Sequence, residues 1–393
     1  MDKQSNLPKI NFPYTDDKNK PLKIWDNLNE VLEKNNISVI YNEITKDIEI
    51  TGADGSTHES QLITIHSLCN RYELKLNLNI INNFVNRIGN KNRTNPVINF
   101  LENCYETYDG EEKYIQMLCD AIITNSSFNA EWKKILIKKW LLNTACISFN
   151  EGESNTEGVL TLQGKQGIGK TRLIRKIIPM YVKTGLELDP SDKDKVYQCV
   201  KYWVCELGEL DSTFKRDLAK LKAFITEQMD EFRRPYGLVP IKYPRKTSFY
   251  ATVNNEEFLK DESGNRRYWI IPVEQIDFEL IDKIDMCQLW GEVMHMRAKG
   301  VETIYLCKDE MEMLNSSNNN FKVLGMLDII IDKSFVWEAR KDMWRWMSSK
   351  DIINKLYLKS TKGLRSTLEN YGAIYKKVEN QRGYIMPPEN LLL

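Results

Sequence analysis

One segment of the chain has the residue types and spacing of a phosphate-binding loop. It reads GKQGIGKT, from Gly164 to Thr171, and lies between the buried-strand pattern VLTLQ and the helical pattern TRLIRKII. Glycines at such a turn let backbone N–H groups face phosphate oxygens, helped by the positive end of the following helix. Lys170 can then reach the β- and γ-phosphates, and the Thr171 hydroxyl can bind Mg²⁺. The segment therefore predicts a P-loop ATPase that uses ATP and Mg²⁺.

We expect the nucleotide contacts to come from this loop and the start of its helix. The expected set is Gly164, Gln166, Gly167, Ile168, Gly169, Lys170, Thr171 and Arg172. A plain glycine turn is the alternative interpretation. At average residue usage, however, the Gly-x₄-Gly-Lys-Ser/Thr spacing arises by chance on the order of once in a hundred chains of this length.

Acidic and amide side chains follow two later strand patterns. In YWVCELGELD the strand pattern ends at Glu206, and Glu209 and Asp211 come soon after it. Because a P-loop ATPase needs a carboxylate for the metal and a second group to orient the attacking water, we assign Glu206 to Mg²⁺ and Glu209 to the water. Helix capping is the alternative for Glu209 and above all for Asp211. Asn254, at the tip of SFYATVNN, is a candidate to hydrogen-bond the γ-phosphate or the water.

Two arginines, Arg266 and Arg267, stand directly before the apolar strand pattern RYWIIPV. An arginine in this place could supply transition-state charge to a nucleotide bound by a neighbouring subunit. A surface ion pair beside the sheet is the alternative for either residue.

A basic stretch, RRPYGLVPIKYPRKTSFY, can form a hairpin about Val239 to Tyr243. It would carry Lys242, Arg245 and Lys246 as candidate DNA contacts, with Lys242 the first choice. Binding through phosphates would be salt-dependent and largely blind to sequence. The alternative is a buried corner at residues 233–235, in which Arg233 is ion-paired with Asp230.

The elements around these residues predict an α/β fold in five segments. Alternating short apolar runs and helices over residues 151–300 indicate a mostly parallel sheet flanked by helices, the ATPase core. The other segments are a small α/β N-terminal domain (1–95), a helical collar (96–150), a connecting segment (301–340) and a winged-helix-like domain (341–393). Helices are expected at Ile24–Lys34, Gln61–Tyr72, Asn77–Ile88, Phe214–Met229, Ser349–Tyr357 and Leu364–Asn370, with a hairpin formed by AIYKKV and GYIMP.

Composition narrows the class of protein further. Lys and Arg balance Asp and Glu at 55 each, but residues 340–382 hold 11 basic and 4 acidic residues, so a basic surface would be local. The Lys-rich helix EWKKILIKKW is interpreted as the solvated face of a collar helix. The chain has neither a bilayer-length apolar stretch nor a signal-peptide pattern, and its eight cysteines lack metal-ligand spacing. We therefore expect a cytoplasmic protein with no membrane partner.

Taken together, GKQGIGKT, WVCELGELD, DEFRRPYG, ATVNN and DESGNRRYW resemble the virulence-associated E proteins of phages and pathogenicity islands. That family is related to superfamily 3 replicative helicases within the AAA+ class. The ordered set of motifs covers about 110 residues, from Gly164 to Trp269. The resemblance implies an AAA+ core in an ATP-driven ring, a hexamer, that moves on single-stranded or forked DNA, with a primase or initiator protein as a candidate partner.

The resemblance also implies roles for single residues. Lys170 and Thr171 would be Walker A, Glu206 and Glu209 Walker B, Asn254 sensor 1, and Arg266 or Arg267 the arginine finger. Leu207 and Gly208 separate the two acids, whereas many AAA+ proteins carry adjacent acids, so the metal and water roles stay interchangeable. Three functions remain open: a DNA helicase, an ATP-switched initiator or scaffold, and a P-loop kinase or other small-molecule ATPase.

Overall fold

The computed structural model describes residues 9–186, 189–208, 218–232, 240–259, 265–300, 303–322, 326–358 and 363–390. Its contacts divide the chain into two compact units. One comprises Met1–Glu256 and Arg266–Asn315, and the other Glu257–Asn265 and Ser316–Leu393. Among the helices of these ranges, none is long and apolar enough to cross a membrane.

The first unit begins with a small α/β arrangement. Its elements are α1 (Trp25–Lys34), β1 (Ser38–Asn42), β2 (Asp47–Thr51), α2 (His58–Arg71), α3 (Leu78–Lys91) and β3 (Arg93–Thr94). Strand β1 pairs antiparallel with β2 and parallel with β3. The turn between β1 and β2 includes Lys46 in the left-handed region, with φ of 58°. Leu28, Ile65 and Val85 pack in a core of their own beneath this sheet.

Three helices and a short strand follow. They are α4 (Pro96–Glu106), α5 (Tyr114–Ala121), β4 (Ile122–Ile123) and α6 (Ala130–Ser148). Asn95 and Asn129 cap α4 and α6 by accepting hydrogen bonds from backbone N–H groups of the first turn. The interpretation of EWKKILIKKW as a solvated face is wrong for Lys133 and Lys139, which are buried, whereas Lys134 and Lys138 are half-buried. Lys133 donates to the Ile122 carbonyl, and Lys139 donates to two backbone carbonyls of residues 303–305.

A five-stranded sheet forms the centre of the first unit. The elements of this part of the chain are β5 (Val159–Gln163), α7 (Lys170–Ile177), β6 (Val182–Leu186), α8 (Lys193–Val200), β7 (Val204–Leu207), α9 (Leu218–Ile225), β8 (Met229–Phe232), β9 (Ile241–Pro244), β10 (Ser248–Val253), β11 (Tyr268–Pro272), β12 (Gln275–Ile276), α10 (Phe278–Ile281), α11 (Met286–Lys299) and α12 (Lys308–Asn319), whose residues after Asn315 belong to the second unit. The strand order is β11-β5-β10-β7-β6, and every neighbouring pair is parallel. The predicted parallel α/β sheet is therefore confirmed.

Parallel pairing brings the carboxyl ends of these strands to one edge of the sheet. Strand β10 lies between β5 and β7, although it follows both in the sequence. The residues after β5, within β7 and after β10 therefore lie next to one another, and this position is where open parallel sheets bind ligands.

Two elements of this region differ from prediction. The helix expected over Phe214–Met229 ends at Ile225, because Met229–Phe232 form β8 and pair antiparallel with β9. Residues 214–217 lie outside the described ranges. Strand β6, VKTGL, was not anticipated because this edge strand is mostly half-exposed and so lacks a continuous apolar run.

The second unit ends in a small antiparallel sheet with helices. Its elements are α13 (Met326–Ser334), β13 (Arg345–Ser348), α14 (Ser349–Lys355), α15 (Leu364–Asn370), β14 (Ile374–Val378) and β15 (Gln381–Met386), with strand order β13-β15-β14. Glu379 and Asn380 make the β14–β15 turn with positive φ. The predicted pair of helices and the hairpin are confirmed, whereas β13 was not anticipated. Ile331, Phe335 and Tyr384 lie in the core of this sheet and its helices.

Candidate nucleotide-binding site

The loop from Gly164 to Gly169 joins β5 to α7 through three glycines with positive φ. Gly164 and Gly169 are in close contact with other parts of the chain. A Cβ atom at Gly164 would lie 2.2 Å from the Val273 carbonyl oxygen, and one at Gly169 would lie 2.6 Å from the Phe278 ring. By contrast, among the described residues no heavy atom beyond the two chain neighbours lies within 4 Å of the Cβ position at Gly167. The loop is thus packed tightly at both ends and open at its tip.

Lys170 is buried and folded against this loop. Its Nζ donates to the carbonyl oxygens of Gly164 (2.6 Å) and Lys165 (2.9 Å) and to Oδ1 of Asn254 (3.1 Å). An ammonium has three N–H donors, and these three oxygens can accept all of them. Burial lowers the pKa of Lys170, and the negative charge of Glu206 opposes this effect. Lys170 and Asn254, predicted separately from two motifs, are therefore in direct contact.

Glu206 occupies the adjacent position on β7 and is also buried. Its Oε1 accepts a hydrogen bond from Thr252 Oγ1 at 2.7 Å and a longer one from Thr171 Oγ1 at 3.5 Å. Its Oε2 accepts a hydrogen bond from the Gly185 backbone N–H at 2.8 Å. Three elements, β10, α7 and β6, thus orient one carboxylate. This arrangement places Glu206 beside the hydroxyl with which it was predicted to share a metal.

Sequence reasoning missed three residues around Glu206. Thr252 lies two positions before Asn254, and strand alternation puts both side chains on one face, which was a usable signal. No comparable signal pointed to Gly185, because β6 was not predicted. Burial and the nearby Glu206 charge raise the pKa of Tyr250, which keeps its phenol neutral. Glu209 and Asp211, predicted for the water and for capping, lie outside the described residues.

The remaining predicted nucleotide contacts lie on both sides of the loop. Gln166 is exposed at its tip, and Ile168 is half-buried against the core of the first unit. Arg172, on the first turn of α7, is exposed, and its guanidinium lies 4.0 Å from the centre of the Phe278 ring. These side chains therefore frame the loop, each in a different environment.

Arg266 and Arg267 lie at the amino-terminal ends of the strands, opposite the ends that carry the phosphate loop. They belong to a 3₁₀ turn, Asn265–Arg267, directly before β11, and with Glu157 they line a cavity of about 360 Å³. Burial raises the pKa of Glu157, and the charges of both arginines oppose that shift. The five residues of β11 separate the arginines from the phosphate-loop edge by about 16 Å, at 3.3 Å per residue. The fold therefore places both arginines away from the loop of their own chain.

The predicted basic hairpin is present in part: β9 carries Lys242, but its partner is β8, which lies before the predicted stretch, with Glu231 paired to Lys242. Lys242 is exposed, and within the described ranges its ion pair is a loose one with Glu231, with Nζ 3.8 Å from Oε2. The prediction that Arg245 and Lys246 also contact DNA is contradicted, because both side chains are buried. Residues 233–239, including Arg233 of the predicted buried corner, lie outside the described ranges.

Arg245 and Lys246 instead belong to what we call the hairpin-base cluster: Lys46, Asp230, Arg245 and Lys246. Arg245 donates through Nε to Asp230 Oδ1 at 2.8 Å and through Nη1 to the Phe224 carbonyl at 2.6 Å. Asp230 is thus paired with Arg245, whereas the sequence suggested Arg233. Lys246 donates to carbonyl oxygens at the end of α6, where a positive charge complements the helix dipole.

Lys46 extends this cluster to the N-terminal part of the unit. It is fully buried and donates to the Val200 carbonyl oxygen and, at 3.3 Å, to that of Ile44. Burial lowers its pKa from 10.5 to about 8, although the charge of Asp230 opposes the change. The cluster therefore fixes the base of the hairpin to the surrounding fold.

Comparison with solved structures finds three structures of the apo C-terminal region of NrS-1, two of them described as the A form. The three chains are 13%, 12% and 14% identical, with TM-scores of 0.47, 0.49 and 0.47. The matches cover 91–93% of this chain and 98–99% of those chains. No curated protein matches the sequence.

A family model gives the assignment. The virulence-associated protein E-like domain matches residues 101–323, which is more than half of the chain and includes the phosphate loop, Glu206, Asn254 and both arginines. The chain therefore belongs to the virulence-associated protein E-like domain family.

Proposed function

We propose that this protein is an ATP-dependent DNA helicase or translocase of the superfamily 3 type, acting in the replication of a phage or pathogenicity island. The observation that carries the proposal is the convergence of Lys170, Asn254 and Glu206 at the carboxyl ends of three adjacent parallel strands. A phosphate loop, an amide and a carboxylate in this arrangement are the parts that an ATPase needs to bind and hydrolyse a triphosphate.

The residues present fit ATP and Mg²⁺. The open tip at Gly167 leaves room for a phosphate group beside backbone N–H donors, and the acceptors of Lys170 in the described part of the chain are three neutral oxygens. Thr171 and Glu206 would hold the magnesium ion. They suffice because Mg²⁺ usually combines one or two protein ligands with waters and substrate phosphates. When bound, the ion would neutralise charge on the β- and γ-phosphates.

The roles of the chain's own residues follow from their positions. Lys170 would exchange its carbonyl acceptors for phosphate oxygens, and Asn254 would orient the γ-phosphate or the attacking water. Glu209 is proposed to orient that water. Arg266 or Arg267, remote from the loop of their own chain, would act on a neighbour's nucleotide, as expected in a ring-shaped oligomer such as a hexamer.

Lys242 is the proposed DNA contact on the β8–β9 hairpin. It is the exposed member of the predicted basic trio, and its weak surface ion pair with Glu231 can be given up for a phosphate at little cost. We propose single-stranded or forked DNA as the partner, because backbone contacts of this kind are sequence-independent. A primase or initiator protein would be a further partner.

Unwinding of a forked DNA substrate with ATP and Mg²⁺ tests the proposal. Wild-type protein should displace a strand, Lys170→Ala should not, and Lys165→Ala should behave as wild type. Lys165 is a matched control because it is an exposed lysine of the same loop whose contact with Lys170 uses only its backbone carbonyl. Absence of both ATP hydrolysis and displacement in the wild type would overturn the proposal.

A mixing experiment tests the arginines separately. Inactive Arg266→Ala or Arg267→Ala subunits, combined with inactive Lys170→Ala subunits, should regain part of the ATPase activity if the arginine acts across an interface. Mixed rings would then contain some sites with an intact loop and an intact neighbouring arginine. No recovery with either arginine variant would contradict the trans role.

The alternative function is an ATP-switched replication initiator or scaffold that binds DNA without processive unwinding. It is favoured by the exposed basic residues Lys376, Lys377 and Arg382 on the hairpin of the second unit, which would give a winged-helix-like domain a basic surface for DNA contact. DNA-stimulated ATP hydrolysis without strand displacement would support this alternative over the helicase.

A further inference from the structure

The segment after β11 forms a second wall of the phosphate loop. The Val273 N–H donates to the Gln163 carbonyl at 2.7 Å, and the Val273 carbonyl contacts Gly164. Five residues later, the edge of the Phe278 ring lies against Gly169. This wall was not anticipated from any motif, and the proposed catalytic roles do not use it.

The strand order of the sheet determines which end of a bound nucleotide would contact this wall. Glu206 and Asn254 mark the position of the metal and the terminal phosphate, and they lie on the β10 and β7 side of β5. Strand β11 and the wall lie on the other side of β5. A triphosphate lying along the loop with its terminal phosphate near Asn254 therefore has its base on the side of Phe278.

Phe278 has the chemistry of a base-stacking residue. It is half-buried, and the Arg172 guanidinium covers one face of its ring at 4.0 Å from the ring centre. Arg172 is exposed and lies on the first turn of α7, so its flexible side chain can leave the ring without disturbing the core. A planar cation and a nucleobase can occupy the same kind of position over an aromatic face.

We propose that Phe278 is the stacking platform for the purine base of the bound nucleotide, with Arg172 giving up its place over the ring when the base binds. The inference rests on the proposed function, because it needs a nucleoside triphosphate in the loop. Phe278 would then determine specificity by distinguishing a nucleotide from other polyphosphates, whereas the glycine loop and Lys170 recognise only the phosphates.

Binding of ATP and of inorganic tripolyphosphate, each with Mg²⁺, to the full chain by isothermal titration calorimetry tests the proposal. Phe278→Leu should weaken ATP binding about tenfold, as expected for the loss of one base–aromatic stack, and should leave tripolyphosphate binding unchanged. Phe278→Tyr should retain the wild-type affinity for ATP. Equal ATP affinities for wild type and a folded Phe278→Leu protein would overturn the inference.

Phe149→Leu is the matched control. Phe149 is also half-buried and lies under an arginine, Arg297, at 3.9 Å, but it is at the end of α6 and away from the loop. Its replacement should leave both affinities unchanged, and thermal unfolding followed by circular dichroism should show that both leucine variants fold. Weakened ATP binding by both leucine variants would count against a specific role of Phe278.

Wild-type protein alone provides a second test that does not depend on the folding of a variant. Stacking on Phe278 predicts that ATP binds more tightly than UTP and that tripolyphosphate binds most weakly, whereas equal affinities would overturn the inference. If the wild type binds neither ATP nor tripolyphosphate, the proposed function fails together with the inference. If ATP binding depends on Lys170 but not on Phe278, only the inference fails.

Discussion

Lys170 and the three basic residues of the hairpin-base cluster are all buried, yet their surroundings differ. The Lys170 ammonium contacts two loop carbonyls and an amide at the edge of the sheet, beside an open loop tip. In the cluster, Arg245 contacts a buried carboxylate, and Lys46 contacts interior carbonyls. Burial of a basic side chain therefore does not identify its role. What matters is whether a ligand can replace its partners.

The largest expected effect tests the Lys170 side of this comparison. Lys170→Ala should lower the ATP hydrolysis rate about a thousandfold, in line with the loss of one preorganised electrostatic group in an active site. It should change the free energy of unfolding little, because Lys165 and Asn254, which carry two of its three acceptors, are exposed and can be hydrated. ATPase assays measure the hydrolysis rate, and urea denaturation measures the free energy of unfolding. A strongly destabilised but active variant would show that Lys170 has a structural role like that of the cluster residues.

Arg245→Met tests the cluster side. It leaves the Asp230 carboxylate buried without its ion pair, so we expect a loss of about 3–5 kcal/mol in the free energy of unfolding. Urea denaturation measures this loss. A double variant, Arg245→Met with Asp230→Leu, should recover part of the stability because it removes the unpaired charge as well. Normal stability in Arg245→Met would show that the pair is dispensable.

The pH dependence of Lys46 gives a third test. Its folded pKa of about 8 lies below the unfolded value of 10.5, so the unfolded chain binds more protons at this site between those pH values. The burial penalty of the charged lysine is therefore complete below about pH 8 and disappears as the pH rises towards 10.5. The gap between the two pKa values corresponds to about 3 kcal/mol.

The measurement compares wild type with Lys46→Met by urea denaturation from pH 7 to pH 10. Wild type should gain stability relative to the variant over the upper part of this range. Titration of the buried cysteines and tyrosines is common to both proteins and cancels in the difference. A difference in unfolding free energy that is independent of pH would contradict the low pKa of the buried lysine.

The smallest expected effect is on DNA binding by Lys242, which is exposed, unlike the buried Arg245 and Lys246. Lys242→Ala should weaken binding to single-stranded DNA of any sequence and reduce the slope of log K against log salt by about one. Its unfolding free energy should stay within about 0.5 kcal/mol of wild type, as for most surface substitutions. Fluorescence anisotropy at several salt concentrations measures the slope, and an unchanged slope would remove Lys242 from the DNA contacts.

The sequence predicted the local elements well and the distant contacts poorly. Helix Leu364–Asn370, the β14–β15 hairpin and the parallel sheet follow from local patterns of apolar and turn residues, and the structure contains them. Strand β8 was not predicted, and its first residue, Met229, was assigned to a helix, because its strand character depends on pairing with β9, which lies beyond a stretch of turn-forming residues. Local propensity cannot report such tertiary pairing.

The same limit applies to the candidate site. The phosphate loop, Glu206 and Asn254 were found because each lies at the end of a recognisable strand, and parallel strands bring their ends together. Arg245 and Lys246 were misassigned because composition cannot show that one contacts Asp230, 15 residues away, and the other contacts the end of α6, nearly a hundred residues away. Phe278 belongs to no recognised motif, and it was identified only from the contact of its ring with Gly169 in the structure.

Arg266 and Arg267 lie at the amino-terminal ends of the strands, away from the phosphate loop, and this position has a consequence for the rate of ATP hydrolysis. If a complete catalytic site needs two chains, the turnover number per chain should fall when the protein is diluted below the dissociation constant of its assembly. An ATPase whose site lies within one chain would show no such fall. The fold would thereby keep ATP consumption low until enough copies have gathered on a DNA molecule.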